Sequence, residues 1–410
     1  MTTRNPERIQ GPHVELSFVP TCEHMCVGIC GASTTASGKG QTITPEIFEE
    51  RVLLPLAEKG LKPAMVTLTG GSISMPANQE MLFAHLDMLQ KHRIPIKLST
   101  TMVWDNKAHW RYFKRAGYDI RRVHSSYRDL TPELTEVQAR FPGSGPVILR
   151  HINDFLETFP DVPLEVETLV SSTLGPHLPD IGRKLIEAIK GINGVDWQWQ
   201  LQTIKASGNA RELKLALLDD ELFKTLEFLG NGEYLKLFGV GGIKLLCMPP
   251  ICTETGAKIQ RLIDSSGGKI ITSRCTEGQV STREGVPSGV MYISGGVDGN
   301  GREAMFMRPC FIVDSPHGVP NLLEEDAGEA FLNSPFLRAW RDPKLVPEIC
   351  NSCKIADHGD FRVQNANACV PNCRASACSL DTTNSLGDDL KRMPTDVERC
   401  YQNSAVSSSI

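Results

Sequence analysis

Three cysteines within nine residues, Cys22, Cys26 and Cys30, are the part of this sequence whose spacing points most directly to chemistry. The pattern Cys-x3-Cys-x3-Cys puts three thiolates on one short loop. Three thiolates can bind three irons of a [4Fe–4S] cubane and leave the fourth iron open to another ligand. Zinc would want a fourth protein ligand, for which His24 is the one nearby candidate. No cysteine follows until Cys247, and ten then fall between Cys247 and Cys400. Among these, Cys350-x2-Cys353-x15-Cys369-x3-Cys373, with Cys275 and Cys310 before it and Cys378 and Cys400 after it, forms a second candidate ligand set. Paired thiolates of this kind serve zinc and iron–sulfur clusters alike. Cys247 and Cys252 read as spare or structural thiols.

The elements that must position these groups follow an α/β rhythm over the first 200 or so residues. His13–Val19, Ala64–Leu68, Pro95–Ser99, Ile120–His124, Leu164–Val170 and Val195–Leu201 read as strands, and amphipathic helices lie between them. Thr44 is an N-cap with Pro45 at the first helical position, Gly60 can end that helix, and Pro55 should kink it. Further helices carry apolar stripes at Leu82, Leu86 and Leu89, at Ile148, Ile152, Phe155 and Phe159, and at Ile181, Leu185 and Ile189. Six strands alternating with helices imply parallel βα units. The expected fold is therefore α/β, a partial (β/α)6 barrel of TIM type over residues 1–235, followed by a cysteine-rich C-terminal domain over residues 236–410. A boundary near residues 230–245 is marked by the change to Gly-rich turns.

Two strands also indicate which face is functional. Glu165 and Glu167 alternate with Leu164, Val166 and Thr168, and Gln198, Gln200 and Gln202 alternate with Trp197, Trp199 and Leu201. Period 2 assigns each set its own face. A parallel strand covered by helices on both sides should be apolar on both, so a polar face points to a barrel interior. The alternative is an edge strand facing solvent. His124, ending a strand, is placed either in that interior or as a satisfied core histidine.

With 410 residues, 40% hydrophobic and 22% charged, the chain has the composition of a soluble globular protein. A net charge of −5 argues against a nucleic-acid partner. No apolar stretch has the length of a membrane span, and the polar opening MTTRNPERIQ is unlike a signal peptide. A cytoplasmic, reducing setting is expected, in which metal binding is favoured over disulfides. Walker A, His-Glu-x-x-His and Gly-x-Ser-x-Gly patterns are absent.

A strand, a three-cysteine loop and a following βα series resemble the radical S-adenosylmethionine (SAM) superfamily. Leu68-Thr69-Gly70-Gly71-Ser72 resembles its glycine-rich motif for the SAM amino group. Leu98-Ser99-Thr100-Thr101 and Val123-His124-Ser125-Ser126 stand where later strands end near the cofactor. The resemblance thus implies a SAM-binding [4Fe–4S] cluster on Cys22, Cys26 and Cys30, with SAM held by Gly70, Gly71, Ser72, Ser99, Thr100, Ser125 and Gln200. Two departures stand out: the family's usual spacing is Cys-x3-Cys-x2-Cys, and Ser72 occupies the usual Glu position. The x3/x3 spacing is similar to that of the radical SAM diol-dehydratases of apramycin (aminoglycoside) biosynthesis, which act on paromamine. The C-terminal cysteines resemble auxiliary-cluster extensions of the SPASM or twitch type, implying one auxiliary [4Fe–4S] cluster. A zinc knuckle is the alternative.

That resemblance implies hydrogen abstraction from C4′ of a paromamine-like substrate, loss of the 3′-hydroxyl as water, and a 3′-deoxy-4′-oxo product. His124, Glu165 and Glu167 are the candidate acid–base residues; Glu165 and Glu167 could equally bind ammonium groups or pair with barrel Lys and Arg. The implied partners are an electron donor and an NADPH-dependent reductase acting on the ketone. Other readings are a radical SAM maturase of a ribosomal peptide, and a non-catalytic zinc- or cluster-binding protein.

Overall fold

A computed structural model describes residues 11–19, 42–127, 143–189, 196–203, 217, 219–246, 254–272, 281–283, 286–288, 290–309 and 319–337. Every cysteine falls outside these residues, and with them the predicted metal ligands Cys22, Cys26, Cys30, Cys275, Cys310, Cys350, Cys353, Cys369, Cys373 and Cys378.

The six expected strands are β1 (His13–Val19), β2 (Met65–Gly70), β3 (Ile96–Thr100), β4 (Ile120–Ser126), β5 (Leu164–Val170) and β6 (Trp197–Thr203). They pair in sequence order, all parallel. The sheet does not stop there. β7 (Ile243–Leu246) and β8 (Ile270–Thr272) continue it in parallel beyond β6. After a separate antiparallel pair, β9 (Ser281–Arg283) and β10 (Val286–Ser288), the chain returns to the opposite edge. There β11 (Val290–Val297) pairs parallel with β1, and β12 (Glu303–Arg308) pairs antiparallel with β11. The result is a ten-stranded α/β sheet ordered β12-β11-β1-β2-β3-β4-β5-β6-β7-β8, an open, partial barrel. The change of sequence pattern near residues 230–245 therefore does not interrupt the sheet. Nor is β6 an edge, since β5 and β7 flank it.

Local sequence accounts for the helices. Thr44 caps α1 (Pro45–Phe48), its hydroxyl accepting from the Ile47 N–H at 3.4 Å. The helix then widens through a π-turn (Glu49–Leu53) before α2 (Leu54–Glu58). Pro55 lacks an N–H and its ring crowds the preceding turn, so the widening falls at the expected kink. α3 (Gln79–Lys91), α4 (Lys107–Ala116), α5 (Ser144–Thr158) and α6 (Leu178–Ile189) follow β2 to β5 in turn. Four shorter or later helices are α7 (Asp219–Leu226), α8 (Gly232–Leu235), α9 (Glu254–Ser265) and α10 (Ala327–Asn333). The stripes read from sequence are buried: Leu82, Leu86 and Leu89 on α3, Ile148, Ile152 and Phe155 on α5, and Ile181, Leu185 and Ile189 on α6.

These stripes meet one face of the sheet. Register aligns Leu16, Leu68, Leu98, Val123 and Leu164 across β1 to β5, each essentially inaccessible and part of one core with the helices. Trp199 lies in the same layer, stacked on Phe238 with its indole N–H donated to Thr168 Oγ1 at 3.0 Å. An indole buried in this way keeps its donor satisfied.

Candidate functional site

The other face of β1 to β7 is polar. Three register rows run across it: Glu15, Thr67, Lys97 and Arg122; then Ser99, His124, Glu165 and Gln198; then Ser126, Glu167, Gln200 and Lys244. Strand alternation produces this layout, because successive side chains point to opposite faces of the sheet.

Glu165 is the most enclosed carboxylate, its side chain 5% exposed. Lys97 Nζ lies 2.8 Å from Oε2 and Arg122 Nη1 2.6 Å from Oε1. Burial alone would raise this carboxyl, but Lys97 and Arg122 outweigh it and hold the group ionised, down to about 2. Of the three readings given for Glu165, acid–base residue, ammonium ligand and partner of barrel Lys and Arg, the contacts present are those of the third.

His124 and Glu167 form a different arrangement. Ser99 Oγ is 3.0 Å from His124 Nδ1, and His124 Nε2 is 3.4 Å from Glu167 Oε2. With Ser99 donating to Nδ1, the ring keeps its hydrogen on Nε2, facing the carboxylate. Both side chains are largely enclosed, 15% and 14% exposed.

Several residues on this face were not singled out from the sequence. His13 Nε2 lies 2.6 Å from Thr67 Oγ1, and burial, followed by the charges of Lys97 and Arg122, lowers the imidazole to about 4. Glu15 is pushed up by burial, against the pull of Lys97 and His124. Lys244 is lowered by burial, with Glu165 opposing the shift. The signal was present: His13, Glu15 and Ser17 alternate with Val14, Leu16 and Phe18 just as the β5 and β6 residues do. Gln198 donates to the Gly241 carbonyl at 2.7 Å, and Gln200, buried beside it, donates to Gln198 Oε1 at 3.4 Å.

The predicted cofactor residues divide into two groups. Gly70 ends β2 with φ +124°, and a Cβ there would stand 2.8 Å from the Val19 carbonyl oxygen and 3.0 Å from Ser17 Oγ. Glycine is needed because β1 comes that close. Gly71 N–H donates to the same carbonyl at 2.9 Å. Ser72 is fully buried, its Oγ 3.3 Å from Thr101 Oγ1. Val19 precedes Cys22 by three residues, so the glycine turn is hydrogen-bonded to the strand end from which the chain runs on to the three cysteines. Ser99 and Gln200 also lie on the polar face. Thr100 and Ser125 do not: register puts them beside Val166 and Trp199 in the layer turned to the helices. Thr100 donates there to Asp105, and Ser125 Oγ is buried without a partner among the described residues. No group of three or more His, Cys, Asp or Glu arranged to hold a metal occurs among the described residues.

The fold is shared with solved structures of low sequence identity. SuiB from Streptococcus suis, bound to S-adenosylmethionine, aligns with a TM-score of 0.51 at 13% identity, over 84% of this chain and 69% of that one. Native anSMEcpe with bound AdoMet aligns with a TM-score of 0.53 at 14% identity, over 97% and 98% of the two chains. The same protein with AdoMet and the Cp18Cys peptide gives 0.52 at 14% identity over the same shares. No family model and no curated protein matches the sequence. No described helix is long and apolar enough to cross a membrane.

Proposed function

We propose that this protein is a radical SAM enzyme that dehydrates a vicinal diol, with an aminoglycoside sugar such as that of paromamine as the substrate class. The observation that carries the reading is the Ser99–His124–Glu167 arrangement on the polar face of a sheet in which the glycine turn after β2 is hydrogen-bonded to Val19, three residues before Cys22. The fold it shares with two AdoMet-bound proteins supports it.

Residues for both cofactors are present in the sequence. Cys22, Cys26 and Cys30 would hold a [4Fe–4S] cluster, and the turn Gly70–Ser72, hydrogen-bonded to Val19, would hold SAM beside it with Ser99 and Gln200. Bound there, cluster and SAM supply one-electron abstraction of hydrogen from a substrate C–H bond. The chain's own residues handle protons and position the substrate. Ser99 Oγ takes the hydroxyl proton at the carbon that has lost its hydrogen as it passes its own to His124 Nδ1, and Glu167 stabilises the imidazolium so formed. The same proton goes to the neighbouring hydroxyl, which leaves as water. The remaining keto radical gains one electron from an external donor and one proton. Glu165, already paired with Lys97 and Arg122, leaves Glu167 as the carboxylate for a substrate ammonium group. An NADPH-dependent reductase would act next on the ketone, and one auxiliary cluster would occupy four of the C-terminal cysteines.

A second reading, modification of a peptide, draws on one observation: anSMEcpe, which shares the fold, was solved with a peptide bound. One anaerobic experiment separates the two. The protein is reconstituted with iron and sulfide, given SAM and dithionite, and assayed for 5′-deoxyadenosine with and without paromamine. Formation stimulated by paromamine, with a dehydrated ketone product, supports the diol reading. Formation indifferent to paromamine ends it, and no 5′-deoxyadenosine at all ends the radical SAM reading.

A further inference from the structure

A buried carboxyl group sits behind the glycine turn, in a place where the proton chemistry does not use it. Asp105, in the segment between β3 and α4, is 2% exposed. Its Oδ2 accepts from Ser74 Oγ at 2.8 Å and from Thr100 Oγ1, and the two hydroxyls lie 3.1 Å apart. Thr100 Oγ1 also accepts from the Met102 N–H at 3.1 Å. Met102 adopts φ +54°, and its carbonyl is 2.7 Å from His151 Nδ1 on α5. A non-glycine residue in that region persists only where its surroundings fix it.

The other end of the network is the loop after Gly71. Asn78 Nδ2 donates to the Ser72 carbonyl at 2.7 Å, Gln79 Nε2 donates to the Ser74 carbonyl at 3.3 Å, and Ser72 Oγ meets Thr101 Oγ1 at 3.3 Å. Three side-chain links therefore tie residues 72–74 to residues 100–105, and all run through hydroxyls or the Asp105 carboxyl. Burying an acid is costly, and an apolar side chain would pack a purely structural site at lower cost. Burial does push the Asp105 carboxyl up, with Thr100 and Ser74 opposing.

We infer that Asp105 is a positioning residue for the SAM-binding turn, acting through Ser74 and Thr100 to fix the backbone of residues 70–74 before any cofactor arrives. This rests on the reading that the turn binds SAM. Thr100, expected from the sequence to touch the cofactor, is on this account a support behind it.

The test uses the full chain. Hydrogen exchange of the amides of residues 71–79 is measured on protein without cluster, and SAM affinity by equilibrium dialysis after anaerobic reconstitution. In Asp105→Ala those amides exchange faster, and SAM binding weakens about tenfold, the scale of losing hydrogen bonds to a charged acceptor. Asp105→Asn, which keeps an acceptor oxygen, restores both. Leu185→Ala, a core truncation on α6 away from the turn, lowers thermal stability without either effect. If Asp105→Ala does not fold, the double variant Ser74→Ala, Thr100→Val removes both donors and gives the same two readouts. Wild-type exchange and SAM affinity in Asp105→Ala, or in the double variant, overturn the proposal alone. An unaltered protein that binds no SAM overturns the radical SAM reading and this inference with it. Equal losses in Leu185→Ala reduce the effect to general stability and overturn the positioning role.

Discussion

His124 and Glu167 lie on adjacent parallel strands, with the imidazole Nε2 3.4 Å from the carboxylate Oε2. The two residues are not directly opposite in register; Glu165 is opposite His124. That leaves Glu165 to the cations below and Glu167 to the imidazole, so neighbouring carboxylates on one strand have different tasks.

The first prediction concerns this pair. His124→Gln and Glu167→Gln should keep SAM cleavage to 5′-deoxyadenosine but lower product formation, by about 10²–10⁴-fold for the histidine, the usual contribution of a general base. Product and 5′-deoxyadenosine are quantified side by side. Equal loss of both in His124→Gln would contradict the proton role.

Glu165 should matter to stability more than to turnover. Glu165→Gln removes the carboxylate that Lys97 and the half-exposed Arg122 share and should cost about 1.5–3 kcal/mol, the scale of hydrogen bonds to a charged group. The sign with pH follows from its lowered carboxyl. The pair's contribution is full above about 4.5, the unfolded value, and is lost as pH falls toward about 2. Urea unfolding of both proteins between pH 7 and pH 3 should show the gap closing on the acid side.

Two enclosed histidines predict a second acid sensitivity. His85 packs at a tilt against Phe18 with 4.5 Å between ring centroids, shares a hydrogen bond with the Met81 carbonyl at 2.9 Å, and is lowered by burial to about 4. His13 is lowered to the same value. The unfolded chain takes up protons near 6.5 and the folded chain does not, so stability should fall as pH drops from about 6.5 to about 4. His85→Phe should flatten that slope in pH-dependent chemical denaturation while keeping the aromatic contact.

Gly70→Ala should fail at both fold and function. The added methyl meets the Val19 carbonyl at 2.8 Å in a backbone conformation that alanine rarely adopts, a cost of about 1–3 kcal/mol. A lower melting temperature together with lost SAM binding is the expected pair of results, read by calorimetry and equilibrium dialysis. Unchanged melting would mean that β1 gives way easily.

Much of the frame was legible in the sequence because parallel strands and their covering helices repeat a local pattern. Leu82, Leu86 and Leu89 are buried as their spacing required, and the alternation at Glu165 and Glu167 marked the polar face. Strands β7, β8, β11 and β12 were missed. They are short, as at Ile270–Thr272, or glycine-bearing, as at Val290–Val297, and their pairing is set by partners distant in sequence. Thr100 and Ser125 show a related limit of local reading. The resemblance set them near the cofactor by their place at strand ends, while the period-2 count that had sorted β5 and β6 turns them toward the helices. Asp105 gave no signal at all, since nothing local distinguishes a buried loop aspartate from an exposed one.

The placement of β11 beside β1 has a consequence for synthesis. β1 carries the root of the cysteine loop, yet one of its two neighbours is translated more than 270 residues later. At the usual elongation rate of about 5–20 residues per second, that edge stays open for roughly 15–55 s on the ribosome. A strand with an unpaired edge is both accessible and at risk of pairing wrongly. The nascent chain therefore has an interval in which the three-cysteine segment hangs from a half-paired strand, and it closes only when the distal half of the protein arrives to seal it.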